Sequence, residues 1–188
     1  MNERSNKTKS ALADSLKSLM KELPFEKISV EDISARAGLN RRTFYRHFLD
    51  KYDVLKWIYD KDFQFDFQEH ESWTIVDYFP LFCQRLDRDA DFYLKAFQIS
   101  GQNGFREYCF SWLYPLFHKH TSDCFRSEEI GRRLLQTSTY ITFDLFIDWL
   151  KEDPRRPPEE FAKTYAEDIR RYSARINEIY SRKYPTNR

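Results

Sequence analysis

The chain has 188 residues, 41% of them hydrophobic and 32% charged, with a formal net charge of +1 at pH 7. This length fits one large domain or two smaller ones, and the composition is that of a folded protein and not of a disordered one. The near-zero net charge excludes a chain that binds nucleic acid over its whole surface. Only 4 glycines are present and strand-like alternation is hard to find, so the sequence predicts an all-α fold.

The positive charge is concentrated near the N-terminus. Residues 1–55 contain 11 Lys/Arg and 8 Asp/Glu, whereas the rest of the chain contains 20 and 22. Between Arg36 and Lys51 there are five basic residues and a single acidic one, Asp50. A local basic segment of this kind is what an element that enters a groove of nucleic acid requires.

The first predicted helix covers residues 7–23 and ends at Pro24. Its apolar residues recur at spacings of three and four, which gives one buried stripe: Ala11, Leu12, Leu16, Leu19, Met20 and Leu23. Ser29 is a predicted N-cap for a second helix over residues 30–37, with Asp32 three positions on as in a capping box. Gly38 follows where a left-handed C-cap residue belongs.

Asn40 is a predicted N-cap for a third helix over residues 41–48, which buries Phe44 and Phe48. Asp50 caps a fourth helix that begins near Lys51 and extends to about residue 70. Two short helices joined by a glycine-containing turn form a helix-turn-helix pattern. Several side chains then lie on the outer face or at the N-terminus of the third helix, where they can meet base edges and phosphates: Arg41, Arg42, Thr43, Tyr45 and Arg46.

Further helices are predicted after residue 70. They comprise a segment capped by Ser72, a short helix within residues 89–100, a helix over 105–125 that contains Pro115, a long helix starting after Ser127, and a last helix over about 159–180 with Pro158 in its first turn. The last helix carries a narrow apolar stripe: Phe161, Tyr165, Ile169, Tyr172, Ile176 and Ile179. This stripe could pack in the core of the same chain or against a second copy, and the dimer is the favoured interpretation.

The segment Ser29 to Leu55 resembles the DNA-binding region of TetR/AcrR-family transcriptional regulators. The matching residues are Ser29, Ile33, Ser34, Ala37, Gly38, Leu39, Asn40, Thr43, Phe44, Tyr45, His47, Phe48, Lys51 and Leu55. The resemblance implies that Ser29, Asn40 and Lys51 contact phosphates. It also implies that Thr43, Tyr45 and His47 contact backbone or base edges. Arg41 and Arg42 occupy the variable positions and are the candidates for reading bases.

The resemblance also implies the organisation of the whole chain. Residues 1–52 are expected to be the DNA-binding domain, and residues 53–188 an effector-sensing and dimerisation domain. Residues 139–163 resemble a subgroup similar to regulators of dihydroxyacetone kinase operons. The expected function is that of a homodimeric regulator of a palindromic operator, with repression the favoured mode. The alternative is an adaptor or co-activator that binds a partner protein and binds DNA weakly.

Seven aromatic residues are candidates for an effector pocket: Phe63, Phe67, Phe97, Tyr108, Trp112, Tyr140 and Phe143. The same residues could instead form a filled core, which is the more frequent role of aromatics in a small helical domain. The effector itself, a small molecule or a co-regulator protein, is left open.

No catalytic motif, cofactor-binding motif or metal site is predicted. His118 and His120 are two positions apart, so they converge poorly from one helix face, and Cys124 is the single thiol nearby. Three unpaired cysteines indicate a reducing compartment. The stretch MNERSNKTKS is polar and no apolar run approaches ~20 residues, so we expect a cytoplasmic protein without a secretory leader or a membrane span.

Overall fold

The computed structural model describes residues 3–63, 75–101, 104–121 and 127–183. Within these ranges the chain forms nine α-helices and one short 3₁₀ turn, and it contains no strand. The helices are α1 (Glu3–Glu22), α2 (Val30–Arg36), α3 (Arg41–Tyr45), α4 (Lys51–Phe63), α5 (Ile75–Arg88), α6 (Ala90–Ala96), α7 (Phe105–Thr121), α8 (Glu128–Leu150) and α9 (Pro158–Lys183), with the 3₁₀ turn at Phe25–Lys27. The predicted all-α fold is confirmed.

The first three helices form a compact unit because each begins or ends at a residue suited to that position. Ser29 and Asp32 make the complete capping box at the start of α2. Gly38 has a φ of +67°, a conformation that residues with a Cβ rarely adopt, so the chain can reverse there. Phe44 and Phe48 are both buried beneath α3, as predicted.

Two of the predicted helix boundaries were wrong by several residues. The first helix begins earlier, at Glu3, and the third ends earlier, at Tyr45. Beyond Tyr45 the chain continues as a turn in which the carbonyl of Phe44 accepts from the amides of both His47 and Phe48. Phe48 therefore keeps the position one turn below Phe44 without a continuous helix. The fourth helix is described as far as Phe63, and both its expected extension to residue 70 and the Ser72 cap lie outside the described residues.

The last helix, α9, packs against α5 and α8 through stacked aromatic rings. The ring of Phe79 in α5 lies parallel to that of Tyr165 in α9 at 4.5 Å, and the ring of Trp149 in α8 stacks on Phe161 at 4.6 Å. The indole N–H of Trp149 donates to the carbonyl of Arg156 across the turn between α8 and α9. The segment 139–163 therefore comprises the end of α8, a turn and the start of α9, and Trp149 bonds to the turn and stacks on α9.

Gly104, just before α7, is required by close packing. A Cβ there would lie 2.5 Å from the carbonyl oxygen of Ile99, so any other residue would displace the turn that brings α7 onto α6.

Among the described residues no group of His, Cys, Asp and Glu could hold a metal ion. Cys124 and the side chains of His118 and His120 lie outside the described residues. No described helix is long and apolar enough to cross a membrane.

Candidate nucleic-acid interface

The outer face of α3 is basic and exposed. Arg41, Arg42 and Arg46 are all exposed, and Tyr45 beside them is 51% exposed. Phe44 on the opposite face is fully buried against the core of the N-terminal unit. The buried phenylalanine fixes the rotation of this short helix, and the arginines are therefore presented together on one side.

The three arginines differ in how firmly they are held. The guanidinium of Arg41 lies 3.8 Å from the carboxylate of Glu31 and 6.0 Å from the centre of the Tyr45 ring. Within the described part of the chain, the side chains of Arg42 and Arg46 make no hydrogen bond or ion pair. Arg41 is thus partly pre-oriented, whereas the other two keep all of their donors for an external partner.

Asn40 caps α3 as predicted and leaves a donor unused. Its Oδ1 accepts from the backbone amide of Thr43 over 2.8 Å and from the Thr43 hydroxyl over 3.1 Å. These bonds use the oxygen end of the side chain, so the exposed amide nitrogen stays available for an acceptor such as a phosphate oxygen.

The hydrogen-bonding groups of Ser29 are already used within the chain. Its hydroxyl donates to the carboxylate of Asp32 over 2.6 Å, and its backbone amide donates to the same oxygen over 2.8 Å. These bonds lower the pKa of Asp32 below its usual range. A phosphate contact by Ser29, which stays a prediction, would have to replace one of these bonds.

His47 lies at the edge of the surface, half-buried between α1 and the turn after α3. Its Nδ1 lies 3.4 Å from the hydroxyl of Ser5. Partial burial lowers the pKa of His47 below its usual value, and the nearby charges of Arg46 and Lys9 lower it further. The imidazole of the free protein therefore favours the neutral form.

Lys51 is held by the turn that precedes α2. Its Nζ donates to the carbonyls of Phe25, Glu26 and Ile28 over 2.8, 3.1 and 2.9 Å. Burial lowers the pKa of this ammonium, which has only three N–H donors. The phosphate contact predicted for Lys51 would require at least one of these bonds to be given up.

The candidate effector residues form a largely closed aromatic cluster. Phe63, Phe97 and Phe143 are buried, whereas Tyr108 and Tyr140 are half-buried. Tyr140 also makes a polar contact, since its hydroxyl donates to the carboxylate of Glu107 over 3.3 Å. Phe67 and the side chain of Trp112 lie outside the described residues.

Two residues that the sequence did not single out lie at the centre of this cluster. The ring of Phe105 lies 5.4 Å from Phe63 and 5.0 Å from Phe97. Tyr59 lies 4.8 Å from Phe105, and its buried hydroxyl has no hydrogen-bond partner among the described residues. Burial raises the pKa of Tyr59 far above its usual value. Neither role could be read from local sequence, because each depends on contacts between distant helices.

A second unusual surface runs along the last two helices. Exposed apolar side chains recur at helical spacing on both: Ile130, Leu134, Ile141 and Leu145 of α8, and Ile169, Tyr172, Ile176 and Ile179 of α9. Phe161 and Tyr165, at the start of the predicted α9 stripe, pack within the chain instead. The stripe thus divides into an internal part and an exposed part.

The fold and the α3 surface define a helix-turn-helix DNA-binding regulator. Residues 12–58 match the family described as bacterial regulatory proteins, tetR family, and residues 74–170 match the family described as transcriptional regulator C-terminal region. The chain belongs to the TetR family of transcriptional regulators, as its resemblance predicted, and it is therefore a regulator and not an enzyme.

Individual relatives agree with this assignment. The chain is 33% identical over 95 residues to the HTH-type dhaKLM operon transcriptional activator DhaS of Lactococcus lactis subsp. lactis (strain IL1403). This match spans 49% of the chain and 50% of that relative, so the chain covers about half the length of the curated protein it matches. The similarity agrees with the expected subgroup.

Solved structures share the fold over most of the chain. A structure of the dihydroxyacetone kinase operon activator DhaS is 20% identical, with a TM-score of 0.55 over 90% of this chain and 96% of that one. NalD of Pseudomonas aeruginosa, the secondary repressor of the MexAB-OprM multidrug efflux pump, is 19% identical, with a TM-score of 0.65 over 89% and 96%. The fatty acid degradation regulator FadR of Bacillus halodurans is 17% identical, with a TM-score of 0.58 over 84% and 91%.

Proposed function

We propose that the chain binds a palindromic operator in the cytoplasm as a homodimer, and that its C-terminal domain controls this binding. The observation that carries the proposal is the surface formed by α3 and the residue after it, where Arg41, Arg42, Tyr45 and Arg46 are all exposed. An arginine can bond the O6 and N7 atoms of guanine in a bidentate fork, and a helix of this kind fits the major groove. Residues 1–52 are the proposed DNA-binding domain, and residues 53–188 the controlling one.

The proposed contacts divide by chemistry. Arg41 and Arg42 read bases, and Thr43, Tyr45 and His47 contact backbone or base edges. Asn40 is the best-placed phosphate donor, because its capping bonds leave the amide nitrogen unused. Ser29 and Lys51 stay in the set as predicted phosphate contacts that compete with their bonds inside the chain.

The homodimer is proposed from the exposed apolar side chains of α8 and α9. Ile169, Tyr172, Ile176 and Ile179 follow spacings of three, four and three, the pattern of a helix that packs against another along its length. Two such helices from each copy would bury both rows at once. A dimer would also place two α3 helices about one turn of DNA apart (~34 Å), which a palindrome requires.

Control through the C-terminal domain is proposed to act by population shift, with the aromatic cluster around Phe63, Phe97 and Phe143 as the effector site. The buried hydroxyl of Tyr59 has no hydrogen-bond partner among the described residues, which supports this placement, because a ligand oxygen or nitrogen could supply that bond. An effector that favours one separation of the two α3 helices would change operator affinity by its differential affinity for the two states. We propose repression as the mode of action.

Selection from random duplex DNA tests the operator proposal. The purified protein is incubated with the pool at low and at moderate salt, and the bound fraction is sequenced. Enrichment of a palindrome, lost in an Arg41→Ala/Arg42→Ala variant that retains its helical content, is the expected result. Binding that is weak, salt-sensitive and blind to sequence would favour the adaptor function instead. A reporter behind the selected operator then separates repression from activation.

A further inference from the structure

Asp62, near the end of α4, is a buried carboxylate that joins four helices. Its side chain is only 10% exposed. Lys17 of α1 lies 3.0 Å from its Oδ2, Arg88 of α5 lies 3.1 Å from its Oδ1, and the hydroxyl of Tyr93 in α6 donates to Oδ2 over 2.7 Å. Neither the α3 surface nor the aromatic effector site uses this group.

Lys17 is the partner that comes from the DNA-binding unit. Its side chain is 18% exposed, and its Nζ lies 2.9 Å from the carboxylate of Asp89, directly before α6, as well as 3.0 Å from Asp62. The same Nζ lies 4.8 Å from the centre of the Phe92 ring. Two carboxylates and an aromatic face therefore hold this cation, all of them contributed by α4, α6 or the residue that precedes α6.

Lys95 of α6 makes a second connection to α1. Its Nζ donates to the backbone carbonyls of Met20 and Lys21. Carbonyls in the last turn of a helix have no partner within that helix, and a cation is favourable at this end. Charged groups of α6 and its N-terminal residue thus hold α1 at two places, Lys17 and residues 20–21, about one helical turn apart.

The position of α1 in turn determines the position of α3. Arg36 of α2 donates to the Ser18 hydroxyl and to the Glu22 carboxylate of α1 over 2.9 and 2.8 Å. The amide of Leu39, in the turn before α3, donates to the carbonyl of Ser34 in α2 over 2.9 Å. A movement of α6 therefore has to carry α1 and α3 with it or break the bonds around Lys17.

Breaking those bonds is unfavourable because the groups are buried. A half-satisfied network of buried charges costs more than a complete one, since each group left alone keeps its desolvation penalty. The network therefore favours one arrangement of α1 against α6 and resists intermediate ones. Such an element can be shifted between discrete states.

We infer that Lys17 and Asp62 are positioning residues for operator binding, which hold α1, and through it α3, in register with α6. This inference rests on the proposed operator binding and adds the element through which the C-terminal domain acts on it. Neither residue contacts DNA in this role.

The test measures operator affinity and its salt dependence with full-length Lys17→Met, Asp62→Asn and the double variant. The duplex is one selected from the random pool by the wild-type protein. Each single variant should weaken binding about tenfold, and the double variant little more than either, because both remove the same pair. The dependence of log affinity on log salt should not change, since no phosphate contact is lost. Lys21→Met, which removes the same charge from an exposed position of α1, should bind within about twofold of wild type.

Tyr93→Phe provides a milder probe should the charge variants fail to fold. It removes only the hydroxyl that bonds Asp62 from α6, and a weaker loss of affinity in the same direction is expected. If folded Lys17→Met or Tyr93→Phe protein binds the operator as tightly as wild type, this inference is wrong, whereas the operator proposal still stands. A wild-type protein that selects no duplex would overturn the operator proposal and this inference together.

Discussion

The Nζ atom of Lys51 lies 2.8 Å from the carbonyl oxygen of Phe25 and 4.5 Å from the centre of the Phe25 ring. The first residue of α4 is thereby attached to the turn that leads into α2. By sequence position Lys51 is a predicted phosphate ligand, yet in the folded chain its ammonium also donates to the backbone carbonyls of Glu26 and Ile28.

Lys51→Met should therefore act mainly on stability. We expect the free energy of unfolding to fall by about 1–3 kcal/mol, because carbonyls of a partly buried turn lose their donor. Operator affinity should fall for all sequences alike, and the salt slope should fall by about one unit, because the proposed phosphate contact is lost as well. Urea unfolding and binding at several salt concentrations measure the two effects. An unchanged slope would instead remove Lys51 from the proposed phosphate contacts and leave it a purely structural role.

Arg42→Ala should remove discrimination at a single base pair. The side chain of Arg42 is exposed and makes no hydrogen bond or ion pair with the described residues, so its donors are available for a guanine. We expect a loss of ~1–3 kcal/mol for that base pair only. Affinities for a panel of single-substitution operators measure it, with Lys27→Ala, an exposed basic residue outside α3, as the control. An equal loss over all operators would show that Arg42 binds backbone.

Operator binding should strengthen as the pH falls from about 8 to about 6, through His47. Burial, Arg46 and Lys9 lower the pKa of His47 in the free protein, which is therefore mainly neutral at pH 7. A nearby phosphate would favour the charged form and raise that pKa, so binding would take up a proton. The sign for stability is the reverse: because the pKa is lowered on folding, the free protein loses stability as the pH falls through the unfolded value.

His47→Gln provides the control for this pH dependence. Its affinity should vary less with pH than that of the wild-type protein, and the His47 resonance in a nuclear magnetic resonance titration should move to higher pKa when operator is added. An unchanged His47 pKa on binding would remove this residue from the interface.

Tyr59→Phe should leave stability unchanged or increase it by up to about 1 kcal/mol, because the hydroxyl it removes is buried without a hydrogen bond to any residue that the structure describes. Tyr93→Phe is the matched comparison, since it deletes a buried hydroxyl that donates to Asp62 over 2.7 Å. That variant should be destabilised by about 1–3 kcal/mol. Urea unfolding of both variants without ligand gives the answer. Destabilisation of Tyr59→Phe equal to that of Tyr93→Phe would mean that the Tyr59 hydroxyl has a partner in solution.

Tyr172→Glu should disrupt the proposed dimer, since it puts a charge in the middle of the exposed apolar row of α9. The side chain is 67% exposed in the single chain, so the folded monomer should tolerate the change. Sedimentation velocity should show a species near 23.0 kDa. Ala174→Glu makes the same change in charge on the opposite side of the helix and should stay dimeric. Dimers that persist in Tyr172→Glu would assign contact between copies to another surface.

The sequence by itself determined the N-terminal unit because the interactions that build it are local. A cap and its amide are three residues apart at Ser29 and Asn40, and each cap predicted there is present. The reversal at Gly38 depends on one residue's φ. Periodicity likewise showed which face of α3 is buried, through Phe44 and Phe48, and hence which arginines are exposed.

Only the tertiary structure decided what the long-range partners are. Lys51 donates to carbonyls more than twenty residues away, and Asp62 binds groups 45 positions before it and 31 positions after it. The sequence shows which aromatics the C-terminal domain contains. Only the packing placed Phe105 among their rings and brought the Tyr140 hydroxyl within hydrogen-bond distance of Glu107. Spacing along a helix specifies the direction of a side chain, whereas its partner depends on how separate helices pack, which no local pattern records.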